Sequence, residues 1–338
     1  FVRTGAGEFI STDVRYSEAG IAEWTAQIDS MDYLGAGHVF TRHNVGRFVP
    51  WQFRLEASAV TAACTASSQG FSYLDEPFYV TVTTSARNRD GFITLNYPDV
   101  GAGSGLKLVA RDEQSGIALS DRILPLPIAL TWAAGEGNGS SAAVAVTRRD
   151  DFVIDGPFDD VTLAALVERD PNAPVVPMYD ADFRDDDEDC MADLSCSAVT
   201  MEDNMRFVYG RMVLMDTFGP ETSDVPVSLQ VHFWDGERFR LHNSDYCTDI
   251  DPDKLSIVAN VGELATTAAG YITVMANGQA PAGSLRWTAP NQTGQMTFSY
   301  EAPDWLKTGE EGDEDPEATA AFGSYGGHDR VISWKLVR

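Results

Sequence analysis

Apolar residues in this chain return at every second position in short runs, and clusters of Gly, Pro, Asn and Asp separate the runs. A period of two with that punctuation is the pattern of half-buried strands joined by turns. Phe78 to Thr84, Gly91 to Leu95, Ala142 to Thr147, Val225 to Trp234, Tyr271 to Met275 and Gly294 to Tyr300 all follow it. Long runs with a helical period are scarce. The spacing of the runs predicts an all-β chain of tandem antiparallel β-sandwich domains, preceded by a partial or small β module.

Within that frame three stretches separate. Residues 1–46 read as the terminal strands of an upstream β module or an N-terminal extension, with Val14 to Ala26 folding as two short strands about a turn at Glu18 to Gly20. Residues 47–203 read as a β-sandwich carrying an acidic, disulfide-containing loop; in it Val161 to Val167 fits a strand or a short helix equally. Residues 204–338 read as a C-terminal β-sandwich. In its first run, MRFVYGRMVL, the apolar alternation slips near Gly210, as a β-bulge there would require. A trailing strand, Arg330 to Val337, is expected to fold the C-terminus in. The abrupt, strand-like start at FVRTGAGEF lacks a basic leader and an apolar core, and suggests a piece processed from a longer polypeptide.

Charge narrows the partners. The chain has 338 residues with 51 Asp and Glu against 24 Lys and Arg, a formal net charge of -27. Such a field repels nucleic-acid phosphates and anionic membrane surfaces. No membrane span is expected, because the most apolar stretch, Ile123 to Ala134, is short and holds Pro125 and Pro127. Four cysteines allow two disulfides in three pairings. The preferred pairing joins Cys190 with Cys196, closing a short polar loop, and Cys64 with Cys247; four reduced core cysteines are the alternative. Disulfides would place the chain outside the cytosol.

Several motifs occur in a fixed order: YSEAG at Tyr16 to Gly20, VGRFVP at Val45 to Pro50, FSYLDEPF at Phe71 to Phe78 after Cys64, and VYGRMVL at Val208 to Leu214. VPVSLQVHFWDGERFRLHNSDYC at Val225 to Cys247 and AAFGSYGGHDRVISW at Ala320 to Trp334 complete the series. This order resembles the C-terminal domain-of-unknown-function region of MshQ-like proteins, which are associated with the mannose-sensitive haemagglutinin (MSHA) type IV pilus. The resemblance implies a location on the cell surface of a Gram-negative envelope, a role in type IV pilus biogenesis, and pilus or envelope protein subunits as partners. It brings no catalytic residues.

Three acidic clusters suit a hard cation. Asp180, Asp182, Asp185 and Asp187 stand in the densest, and calcium takes six to eight oxygen ligands of this kind from a flexible loop. Asp249, Asp251 and Asp253 form a D-x-D-x-D arrangement just after Cys247, able to converge on an ion if the loop turns. Glu310 to Glu317 reads mainly as a solvated loop. No G-x-S-x-G elbow and no H-E-x-x-H motif occurs; His232 and His242 flank a hairpin at Asp235-Gly236 and are expected to be ordinary sheet histidines. The expected function is therefore a non-enzymatic extracellular pilus component acting in adhesion or in minor-subunit assembly. The alternatives are a calcium-assisted module that stacks surface glycan on exposed tryptophans, or a glycoside-active enzyme with two facing carboxylates.

Overall fold

A computed structural model describes residues 2–5, 8–12, 14–28, 34–66, 70–98, 105–151, 153–168, 176–183, 198–308 and 313–323. Among them the chain is built from β-strands with three single-turn 3-10 helices, and its sheets make sandwich-like modules after a small β region at the start. Two compact units emerge, each assembled from separated stretches: Phe1–Val60, Tyr79–Val144 and Thr162–Asp203 in one, Thr61–Phe78, Ala145–Val161 and Asn204–Arg338 in the other.

The first unit opens with two hairpins. Val2–Gly5 pairs with Glu8–Ile10, and Gly20–Gln27 pairs with Phe40–Phe48, Trp24 standing opposite His43. The turn expected at Glu18 to Gly20 is instead the entry to one eight-residue strand, and its partner lies beyond residue 39. Gln52–Thr61, Phe78–Arg87, Glu136–Val146 and Thr131–Ala133 lie side by side in that order in one sheet. Phe78–Arg87 buries Val80, Val82, Thr84 and Ala86 on its inner face, as the alternation requires. Phe53, Tyr97 and Trp132 pack ring to ring at 4.7 to 5.7 Å. The ambiguous run at Val161 to Val167 is part of the strand Phe158–Val167; both its faces are buried, so no alternation marks it. Gly91 to Leu95 forms no strand and contributes a single bridge, Arg87 to Ile93.

The second unit holds a continuous core in which Phe71, Tyr73, Trp287, Phe298, Tyr300 and Phe322 are the largest members. Gly294–Tyr300 lies between Leu255–Val261 and Glu317–Phe322, and Thr217–Gly219 pairs in parallel with the last of these. Gly210–Leu214, Leu229–Trp234 and Phe239–Leu241 form a separate three-stranded sheet. The slip in MRFVYGRMVL is a break at Tyr209 between two strands, Val199–Val208 and Gly210–Leu214. Met205 and Phe207 are buried before it and Met212 and Leu214 after it, so the inward positions change parity as the chain passes from one sheet to another. Gly210 has no room for a side chain: a Cβ there would lie 2.4 Å from the Tyr73 ring.

Candidate functional site

The chemistry-bearing residues that the fold gathers most tightly lie beside the Cys64–Cys247 disulfide, inside the second unit. The two cysteines have a Cα separation of 5.5 Å and lie 183 residues apart in sequence. Cys64 exchanges two backbone hydrogen bonds with Phe71, which fixes the run Phe71-Ser72-Tyr73 next to the bridge. Ser72 and Tyr73 in turn pair in parallel with Phe207 and Val208. On the other side, the turn after Phe239–Leu241 carries His242, Asp245 and Cys247.

Tyr73, His242 and Asp245 are closed off from solvent, at 1%, 1% and 0% exposure. The Tyr73 hydroxyl lies 2.8 Å from Asp245 Oδ2 and 2.6 Å from His242 Nδ1. A phenol carries one proton, and the carboxylate can only accept it, so Tyr73 donates to Asp245 and His242 Nδ1–H donates to Tyr73. That tautomer leaves His242 Nε2 as a bare acceptor, and it is buried without a partner among the described residues. Asp245 also accepts from the Thr248 hydroxyl at 2.6 Å and from the backbone N–H groups of Cys247 and Thr248 at 3.0 Å. Phe71 and Phe233 wall the imidazole, with ring centroids 4.3 and 4.8 Å away.

Burial sets the proton affinities here. It pushes the Tyr73 hydroxyl well above its ordinary range, with the Asp245 charge acting in the same direction. It lowers His242 to about 4, assisted by the charge of Arg206 and opposed by Asp245. Glu76, which accepts from the Tyr73 N–H at 2.9 Å, is raised to about 7 by burial and by Asp245, against that hydrogen bond. The imidazole is thus neutral at neutral pH. A Tyr-His-Asp chain with no route for a substrate works as an orienting clamp that joins the Phe71–Tyr73 run to the His242–Thr248 turn.

These two shifts act on stability in opposite directions. Glu76 has a folded value above its ordinary 4.5, so its term is full below that pH and is lost as pH rises towards about 7. His242 has a folded value below its ordinary 6.5, so its term is full above that pH and is lost as pH falls through about 4. Between pH 4.5 and 6.5 these two slopes offset each other. Glu76→Gln removes one of them, and urea melts should then show stability climbing more steeply than in the native chain, by about 1 kcal/mol per pH unit over that interval. A variant profile no steeper than the native one would show that Glu76 does not titrate as described.

A second clamp in this unit centres on Arg148. Its guanidinium donates to the carbonyls of Gly210, at 2.9 Å, and Trp305, pairs with Asp75 at 3.3 Å and lies 4.2 Å from the Tyr209 ring.

The residues singled out in the sequence are distributed differently. His232 hydrogen-bonds Gln230 and stands opposite Leu241, so His232 and His242 face opposite sides of the sheet and form no pair. Asp249 is exposed and opposite Val274, whereas Asp251 caps the 3-10 helix Pro252–Lys254 by accepting from the Asp253 N–H at 2.9 Å. Asp180 and Asp182 are exposed, and Asp182 accepts from the Thr200 N–H at 2.7 Å. Asp185, Asp187, Cys190 and Cys196, like the strand expected at Arg330 to Val337, lie outside the described residues. Among the described residues no group of three or more His, Cys, Asp or Glu is placed to hold a metal ion, and no helix is long and apolar enough to cross a membrane.

Comparison with known proteins gives two family matches: residues 18–198 to DUF6701, third domain, and residues 208–335 to DUF6701, fourth domain. No curated protein matches the chain in sequence. Among solved structures, the adhesin InvE of Yersinia pseudotuberculosis aligns at 12% identity and TM-score 0.26 over 78% of this chain and 58% of its own. The D0-D1 domain of intimin aligns at 10% and 0.20 over 80% and 97%, and the I9-I11 tandem of titin at 8% and 0.23 over 78% and 65%. At TM-scores this low none of the three alignments carries a fold or a role over to this chain.

Proposed function

This chain belongs to the DUF6701 family, and on that premise we propose that it is a non-enzymatic, extracellular surface component with a structural or adhesive role. The observation that carries the reading is the Cys64–Cys247 bridge. Crosslinks of this span form and persist in oxidising compartments, outside the reducing cytosol. The buried Tyr73-His242-Asp245 chain supports it as well, being closed to any substrate, and the formal charge of -27 favours solubility and discourages binding to anionic surfaces. The finer assignment, to an MSHA-like type IV pilus as an adhesion or minor assembly subunit, rests on the ordered motifs from Tyr16 to Trp334. Protease shaving of intact cells that produce the chain, followed by fractionation of sheared pili, tests both levels. The chain should be cleaved on intact cells and should co-purify with pilus subunits. Protection from protease overturns the surface reading; cleavage without co-purification overturns only the pilus assignment.

A calcium-assisted glycan-binding reading draws on one end of the first unit. Trp51 is 56% exposed at the start of Gln52–Thr61, and the next strand residue but one, Phe53, bridges Met178, two positions before Asp180. An exposed indole beside a carboxylate-rich loop suits a sugar face and a hard cation. Millimolar calcium is expected to raise the stability of the native chain by about 1–3 kcal/mol and to leave the double variant Asp180→Asn, Asp182→Asn unchanged. Identical melts in calcium and in chelator would remove calcium from the reading.

A further inference from the structure

The sheet of the first unit has an outer face as well as the one turned to the core. Because Val80, Val82, Thr84 and Ala86 point inward, Tyr79, Thr81, Thr83, Ser85 and Arg87 of the same strand point outward. A shallow groove of about 590 Å³ crosses this outer face, and the polar side chains that line it are Ser58, Thr81, Thr83, Thr131, Asn138 and Ser140, drawn from all four strands. Thr131 stands opposite Asn138, and the Thr83 hydroxyl donates to Asn138 Oδ1 at 2.9 Å, so one polar row runs across three adjacent strands. That bond spends the Thr83 proton, and it leaves the Thr83 oxygen to accept and the Asn138 amide NH2 to donate.

The lining narrows the occupant. Among the described residues none that lines the groove is charged, in a chain of net charge -27, so the groove selects neither an anion nor a cation. An apolar partner would cover the hydroxyls and return no hydrogen bond, which costs free energy at each of them. An added strand needs free backbone groups, whereas Phe78–Arg87 and Glu136–Val146 lie inside the sheet and spend theirs on the strands to either side. A neutral molecule rich in hydroxyls meets the lining on its own terms, since each of its groups both donates and accepts. Tyr79, 44% exposed and two positions before Thr81 on the same face, adds a ring for the C–H face of a sugar. From Tyr79 to Ser85 the face measures about 20 Å at ~3.3 Å per residue, room for several sugar rings in a row. Past Ser85 the paired charges of Arg87 and Glu56, 2.6 Å apart, mark its end.

We propose that this outer face binds a neutral oligosaccharide, with the Tyr79 ring stacked on one sugar and Thr81, Thr83, Asn138 and Ser140 hydrogen-bonded to the hydroxyls of its neighbours. The proposal rests on the adhesive reading, to which it gives a ligand class. It needs no calcium and uses none of the residues around Trp51 and Asp180.

NMR titration of the isotope-labelled full chain in chelator, with cellohexaose, laminarihexaose, maltohexaose and mannohexaose as probes, tests this. At least one of them should shift the amide signals of Thr81, Thr83 and Asn138 saturably, with a Kd on the order of 1 mM or tighter. Thr81→Glu, which puts a carboxylate into the groove, should weaken that binding roughly tenfold or more, and Tyr79→Ala roughly threefold or more, while Trp51→Ala leaves it unchanged. If Thr81→Glu also loses the native signals of Val80 and Val144, it has unfolded, and Ser140→Glu decides by the same amides. No shift with any of the four probes at concentrations tenfold above that Kd overturns the proposal. So do shifts that need calcium or vanish in Trp51→Ala, and so does equal binding of the anionic hexagalacturonate. None of these outcomes touches the surface reading, which protease shaving decides separately; protection from protease would remove the adhesive role even from a chain that binds sugar.

Discussion

Replacing Cys64 and Cys247 together with alanine is expected to lower the unfolding free energy of the second unit by about 3–5 kcal/mol. A bridge that closes a 183-residue separation removes loop entropy from the unfolded chain, and the chain-entropy estimate for that length is roughly 5 kcal/mol. The folded state loses little directly, because Cys64 keeps its two backbone bonds to Phe71 and Cys247 keeps its N–H bond to Asp245. The loss should therefore appear mainly as slower refolding in denaturant jumps, with the folded hydrogen-exchange pattern around Tyr73 retained. Urea midpoints of the native and double-alanine chains measure it. A change under 1 kcal/mol would mean that the unfolded chain is already held compact by other means.

Asp245→Ala should cost as much by a different route. The carboxylate accepts four hydrogen bonds in a place without solvent, and its removal leaves the Tyr73 hydroxyl, the Thr248 hydroxyl and two backbone N–H groups to find new partners. Each buried donor left unsatisfied costs about 1–3 kcal/mol, so a loss of roughly 4 kcal/mol or more is expected. Asp245→Asn keeps one oxygen acceptor and turns the other into an NH2 donor, and should lose about half as much. Combining Asp245→Ala with Tyr73→Phe removes one orphan and should recover about 1–2 kcal/mol, a gain that only a direct Tyr73–Asp245 coupling produces. Additive losses in that cycle would refute the coupling.

Strands such as Phe78–Arg87, Leu229–Trp234 and Gly294–Tyr300 were legible because one face of each is buried, so burial is written into the sequence with period two. Phe158–Val167 was not, since burial on both faces erases the alternation that separates strand from helix. The run from Val14 to Ala26 misled for another reason: Glu18 to Gly20 reads as a turn, yet Gly20, at a φ of 108°, serves to start a strand. The long-range disulfide could be named, because cysteines come in few pairings. The Tyr73-His242-Asp245 chain could not, as its members are 169 and 172 residues apart and each is individually unremarkable in sequence. The one usable signal was the density of polar residues in HNSDYC, between the hairpin strand and Cys247, where a solvated turn would not need a histidine.

The same covalent bridge has a mechanical meaning. A tension that pulls the two ends of this chain apart passes from residue 64 directly to residue 247 and bypasses everything between them. At about 3.5 Å per residue, the 183-residue separation is roughly 640 Å of polypeptide that force cannot pay out while the bond is intact. A surface protein under shear would then lengthen only from its flanking stretches, and reduction of one bond would open the hidden length to the same force.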